Sequence, residues 1–200
     1  MKTTISFALS RRSTLSAFLL LLGTLFAGCK KNDDTKPAEN GLSAYISSDP
    51  TLTASSRTSG PWELGVVFSS SVAGKLTELG SKMPEPGSYR VIVWDYDTKQ
   101  LLRQKTVEQT SPDKLIMSGV DALPLLPNKK YVISINSQAA GTNKKYGVVG
   151  KSTNFMPFTK GSILVYNACY ENVATASFPD AAPNVLYELY GFPEFTFIPD

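Results

Sequence analysis

Whatever chemistry this chain performs, it performs without histidine, because its 200 residues contain none. That removes Ser-His-Asp and Cys-His nucleophilic catalysis and the imidazole-based zinc sites. No GxxxxGK[ST] or GxGxxG follows a strand-like run, so a nucleotide has no phosphate cradle. Carboxylates remain, and two of them suffice to hydrolyse a glycosidic bond. The chain has 17 Asp and Glu residues, however, and nothing in their spacing selects a pair. Asp95 and Asp97 are close enough to share a Ca²⁺ with backbone carbonyls, but they lie between two strand-like runs, where turn formation is the expected role. No metal and no cofactor is expected. The groups best suited to recognition are aromatic, since sugars stack on Trp and Tyr faces while neighbouring polar groups bond their hydroxyls. Trp62 is one candidate. The segment Gln138–Tyr146 supplies three more, Asn143, Lys144 and Tyr146, in a polar loop where binding groups carry little structural cost. Tyr187 with Tyr190 forms a further pair. Trp94 reads as core, as do Tyr166 and Tyr170, four residues apart and expected on one face of a strand; Cys169 between them reads as a buried structural thiol.

The elements that must position these groups are strands. After Gly41 no long 3.6-residue periodicity occurs. Short runs of β-branched and aromatic residues alternate with Gly, Pro, Asn, Asp and Ser, and the chain's 13 prolines fall mostly between the runs. Strands are expected near 42–46, 62–69, 75–79, 88–96, 101–107, 114–117, 131–136, 146–149, 162–170 and 194–198. Leu64, Val66 and Phe68 share one face, as do Tyr131, Ile133 and Ile135, with the opposite faces expected to be mostly wet. The run Tyr89–Tyr96 is apolar on both faces and reads as a central strand. The fold class expected is all-β, an antiparallel β-sandwich of jelly-roll-like type spanning 42–200.

The N-terminus carries a different signal. Lys2, Arg11 and Arg12 precede an uncharged apolar run, Leu15–Phe26, shorter than the roughly 20 residues a bilayer span requires. Small residues follow, Ala27 and Gly28, and then Cys29. This layout is that of a signal peptide, and Leu25-Phe26-Ala27-Gly28-Cys29 resembles a lipobox. The resemblance implies removal of residues 1–28 and attachment of a diacylglycerol to Cys29. Two acyl chains hold a protein on a membrane where one does so only marginally. Residues 29–41 are polar and charged and are expected to be a disordered tether, with a reach of up to ~40 Å. Lys30 and Lys31 close to Asp33-Asp34 resemble the export signal of Bacteroidota-type surface lipoproteins. The expected location is the outer membrane, lipid-anchored and facing outward.

The three basic residues before Cys29 face no acidic counterpart, so the remainder carries as many basic as acidic residues despite a calculated pI of about 8.8 for the whole chain. Nucleic acid, which demands a basic excess, is not an expected partner. Four stretches, Glu63–Thr77, Gly87–Asp95, Leu101-Leu102 and Leu126–Ile135, together resemble an uncharacterised bacterial β-sandwich family, a domain of unknown function, with a pattern similar to jelly-roll carbohydrate-binding modules. The resemblance implies a sandwich and glycan or surface binding, and brings no catalytic residues. The expected function is a non-enzymatic binding module for a glycan. The alternatives are an assembly protein that binds another envelope protein and a carboxylate-dependent glycoside hydrolase.

Overall fold

The computed structural model describes residues 36–200, so the expected signal peptide, Cys29 and most of the expected tether lie outside the described residues. The strands follow the β-branched and aromatic runs. β1 (Thr53–Arg57), β2 (Glu63–Ser70), β3 (Gly74–Ser81), β4 (Gly87–Asp95), β5 (Leu101–Gln109), β6 (Ile116–Leu125) and β7 (Tyr131–Asn136) come first. They are followed by the short pair β8 (Gln138–Ala139) and β9 (Thr142–Asn143) and by β10 (Tyr146–Gly150), β11 (Phe158–Lys160), β12 (Ile163–Glu171), β13 (Ala182–Val185), β14 (Glu188–Tyr190) and β15 (Pro193–Pro199). One sheet runs β11-β12-β2-β7-β4-β5, with β13 added beside β11 on the same edge of β12. Two three-stranded sheets, β15-β3-β6 and β1-β10-β14, form the second layer. Every strand pairing is antiparallel. The result is an all-β sandwich whose second layer is split in two.

The core lies where period-2 alternation points it. Leu64, Val66 and Phe68 of β2, Val91 and Val93 of β4, and Tyr131, Ile133 and Ile135 of β7 meet Leu76 and Leu79 of β3 and Phe195 and Phe197 of β15. Leu76 and Leu79 are three apart, yet both face inward, because Thr77 is an extra residue against β15: Leu76 pairs with Phe197 and Glu78 with Thr196. Such bulges shift the side-chain alternation by one residue.

The opposite face of the large sheet is covered as well. All eight residues of β2 and all six of β7 are buried, so the wet faces expected for these strands are not found. The cover is the segment 172–181, which crosses the sheet before joining its edge as β13. Asn136 Nδ2 donates to Val173 O at 3.0 Å and Arg90 to Ala174 O at 3.2 Å. Phe178 stands edge-on to Trp94 with ring centroids 6.1 Å apart. Position 65 must be glycine for this segment to close, since a Cβ there would come within 2.7 Å of Pro179 Cγ and 2.8 Å of Cys169 Sγ. Beneath the cover Glu63, fully buried, accepts hydrogen bonds from Arg90 (2.8 Å), Ser134 Oγ (2.5 Å) and Asn136 Nδ2 (3.1 Å). Trp94 donates to Ser134 at 2.8 Å, and Cys169 is buried, as its sequence context indicates.

Other expectations change as well. The run at 42–46 is not a strand but the first part of helix α1 (Gly41–Ser48). Leu42, Tyr45 and Ile46 recur at helical spacing. Leu42 is buried, and Tyr45 stacks on Phe158 with centroids 3.6 Å apart. The carboxylate of Glu194, on distant β15, accepts the Ser43 N–H at 2.6 Å and so caps the first turn. The folded unit also starts earlier than Leu42. Glu39 exchanges two backbone hydrogen bonds with Phe197 (2.8 and 2.9 Å), and its carboxylate accepts the N–H (2.7 Å) and hydroxyl (3.0 Å) of Ser162. Asn40 Nδ2 bonds Phe195 O at 2.9 Å.

A further change is in β12. Val165 pairs with Phe68 and Asn167 with Val67, which leaves Tyr166 as an inserted residue. Tyr166 therefore packs on the outer face with Val67 and Trp94, while Tyr170 packs with the inner core. The two tyrosines do not share a face.

Candidate functional site

At one end of the sandwich, between the β1-β10-β14 sheet and strands β2 and β12 of the large sheet, lies a pocket of about 220 Å³ lined by Arg57, Ser59, Trp62, Leu64, Tyr146, Tyr170 and Tyr190. They come from β1, the β1–β2 connection, β2, β10, β12 and β14. Arg57 ends β1 directly opposite Tyr146, which opens β10, and Tyr190 ends β14 on the other side of β10. Tyr170 arrives from β12 because the Tyr166 insertion turns it inward. Trp62 sits in the β1–β2 connection, held by two bonds to Ser137: its N–H donates to Ser137 Oγ (2.9 Å) and its carbonyl accepts the Ser137 N–H (2.8 Å). The connection bends at Gly60, whose φ of +130° is closed to other residues and whose absent Cβ would lie 2.8 Å from Ser137 Oγ.

The walls are aromatic and the rim is polar. Trp62 and Tyr170 meet edge to face at 5.5 Å, as do Tyr170 and Tyr190 at 5.9 Å. Ser59 Oγ links two of the rings, accepting from Trp62 Nε1 at 2.9 Å and sharing a 2.9 Å bond with the Tyr146 hydroxyl. Arg57 makes a two-pronged ion pair with Glu188 (2.6 and 3.1 Å), and the Tyr190 hydroxyl donates to the same carboxylate at 2.8 Å. Burial, and then that bond to Glu188, push the Tyr190 hydroxyl well above its ordinary range, so it remains a donor at neutral pH. Bonding to Glu188 likewise strengthens the charged form of Arg57. The pocket thus offers aromatic faces and hydroxyls around a charge-compensated rim, and has room for about one six-membered ring.

Trp62 and Tyr146 are brought together here, but Asn143 and Lys144 are not. Asn143 closes the β8–β9 hairpin by accepting from Gln138 Nε2 at 2.8 Å, and the Lys144 N–H donates to Ser137 O at 3.0 Å. Neither lines the pocket. Tyr146, where that loop meets the strand expected at 146–149, is the first residue of β10 and is only 4% exposed. Tyr187 remains exposed and does not line the pocket. Arg57, Ser59 and Glu188 carried no sequence signal: they sit in polar stretches, and only the pairing of β1 and β14 with β10 makes them neighbours.

The carboxylates have other engagements. Asp95 Oδ1 accepts the N–H groups of Asp97 (3.1 Å) and Thr98 (3.0 Å), while Oδ2 pairs with Lys129 at 2.6 Å, an arrangement that builds the β4–β5 turn. The Lys129 ammonium holds the Asp95 carboxyl down at about 2. Glu63 and Glu194, pushed above the ordinary range by burial, serve the outer cluster and the cap of α1, and neither lines the aromatic pocket.

No protein-family model matches the chain, and no curated protein matches it in sequence. What stands of the family resemblance is its architecture, an antiparallel β-sandwich.

Proposed function

We propose that this protein is a lipid-anchored, non-enzymatic binding module of the bacterial outer envelope, and that it holds a glycan in the pocket of Trp62, Tyr146, Tyr170 and Tyr190. The observation that carries the reading is the convergence of four aromatic rings from four separate chain segments on one small, hydroxyl-edged pocket. Aromatic faces suit the C–H faces of a pyranose, and the Ser59 and Tyr hydroxyls and the Arg57–Glu188 pair suit its hydroxyl groups. Cys29 is the proposed attachment point, with the membrane as partner through its acyl chains.

The test is a glycan array probed with the full chain in detergent, followed by titration of any hit. Trp62→Ala or Tyr170→Ala should weaken binding at least about tenfold, the scale of losing one well-packed aromatic contact. Asn143→Ala and Lys144→Ala should leave it unchanged. Binding that resists both aromatic substitutions would move the site, and an array without hits would remove the glycan reading.

A second reading, strand addition by a protein partner, is favoured by β1. It is an edge strand whose five residues, Thr-Ala-Ser-Ser-Arg, are all exposed, with no proline and with charge only at Arg57. Edges of this kind accept an added strand. A proline at Ser55 should abolish such an interaction.

A further inference from the structure

The two ends of the sandwich differ in what they expose. The aromatic pocket lies at the Glu63 end of β2. At the Ser70 end, about 23 Å away at the usual strand rise, the chain enters the fold. Ser70 O accepts the N–H of Asn128 in the β6–β7 turn, and Gly74 pairs with both Leu125 and Pro199. Asp200 N–H bonds Ala73 O, and Lys36 Nζ bonds Asp200 O. The β4–β5 turn belongs to the same end, through the Tyr96 N–H to Lys130 O (3.4 Å) and the Asp95–Lys129 ion pair.

Of the four large apolar or aromatic side chains exposed among the described residues, three are at this end: Leu126 (58%), Leu101 (45%) and Tyr96 (37%). They are accompanied by lysines. Lys130 lies over the rings of Tyr166 (4.4 Å) and Tyr96 (5.4 Å), and Lys99 and Lys129 are paired with Asp180 and Asp95. Tyr, Leu and lysines that can extend toward headgroups form the composition favoured at a bilayer interface. The acidic partners, together with Asp97 and Asp200, leave no marked charge, so the attraction would be apolar rather than ionic.

We infer that this end of the sandwich, carrying Tyr96, Leu101 and Leu126, lies directly on the lipid surface, and that the aromatic pocket is thereby held facing away from the membrane. The inference rests on the reading of Cys29 as the anchor. Its second support is length: from Cys29 to Lys36 is seven residues, a reach of about 25 Å at most. Lys36 is fixed at this end by its bond to Asp200 and by the docking of Glu39 and Asn40 that follows. A short leash that begins at the apolar end brings that end to the bilayer first.

The experiment uses the lipidated full chain in phosphatidylcholine vesicles. A single environment-sensitive fluorophore is placed on Leu126→Cys, Leu101→Cys or, in the far hairpin, Thr142→Cys; Cys169 is buried and is left unlabelled. Lipids bearing a quencher on the acyl chain should quench the labels at 126 and 101 at least about twofold, the expectation for groups seated 5–10 Å into the boundary, and should leave 142 unaffected. The quenching should persist at high salt. Mass analysis of the N-terminal peptide accompanies each sample. An acylated Cys29 with no quenching at 126 and 101 overturns the inference and leaves the anchor standing. An unmodified Cys29 overturns both.

Discussion

The two faces of the large sheet are built on different principles. The inner face of β2, β4 and β7 is dominated by Leu, Val, Ile, Phe and Tyr side chains and meets a second layer contributed by distant strands. The outer face holds a buried carboxylate, a guanidinium, an indole bonded to a serine, and a thiol, all closed by one segment, 172–181. The inner face is non-directional, so its stability scales with the area removed from water. The outer face depends on geometry: every polar group there needs its named partner, and Arg90 Nε is buried without one. A sheet can thus be buried on both sides while only one side obeys simple volume rules.

That contrast can be broken most forcefully from the inside. Phe197→Ala or Ile133→Ala should cost about 3–5 kcal/mol, the range for large truncations in a packed core, read from the midpoint of denaturant unfolding; a loss under about 1 kcal/mol would show that the two layers are not mutually dependent. On the outer face Arg90→Ala should cost about 3 kcal/mol, the lower end for breaking a buried pair, because Arg90 is itself partly exposed. Adding Glu63→Gln to it should restore much of the loss, a rescue that a pure packing role for Arg90 does not allow. Phe178→Ala should cost only about 1–2 kcal/mol, as it removes a half-buried ring. It should also admit a thiol reagent to Cys169, whose thiol is inert in the parent because burial raises it far above neutral pH. Equal labelling of parent and variant would mean the cover is not what protects it.

The smallest expected effect is in the pH profile. Burial raises Glu194 and Glu63 above the ordinary carboxylate value, so the folded chain holds their protons to higher pH than the unfolded chain does. Their contribution is fully present below about pH 4.5 and is lost as pH rises through the raised values. Asp95, held down at about 2 by Lys129, acts in the opposite sense: its contribution is present above about pH 4 and is lost as pH falls toward 2. Glu194→Gln should flatten part of the slope above pH 4.5 and leave the acid limb alone. An unchanged slope there would assign it to Glu63.

The sequence revealed the inner face far better than the outer. Leu64-Val66-Phe68 and Tyr131-Ile133-Ile135 announce themselves by period 2. The cover at 172–181 is irregular, and no local pattern says that it should lie across Gly65. Helix α1 was legible as Leu42, Tyr45 and Ile46, but its five-residue apolar pattern is short enough to be read as a strand, and its cap comes from Glu194, some 150 residues away. The pocket was half legible. Trp62, Tyr146 and Tyr190 stand out as aromatics, but their convergence depends on β10 lying between β1 and β14, and β1 and β14 have too few apolar residues to declare themselves. Asn143 and Lys144 were attractive for their chemistry alone, and hairpin closure accounts for their bonds.

The inserted Tyr166 makes β12 a strand with spare length. In a regular strand buried on both sides, losing one residue turns everything downstream inside out. At position 166 the opposite holds: the residues on either side, Val165 and Asn167, already face consecutive partners, Phe68 and Val67. Removing Tyr166 would splice the two halves into an uninterrupted ladder, with Ala168 and Tyr170 still pointing inward and only the phenol against Ser69 and the ring under Lys130 lost. For an element threaded through the centre of the molecule, this is the point at which the chain can change length during evolution without changing its reading frame.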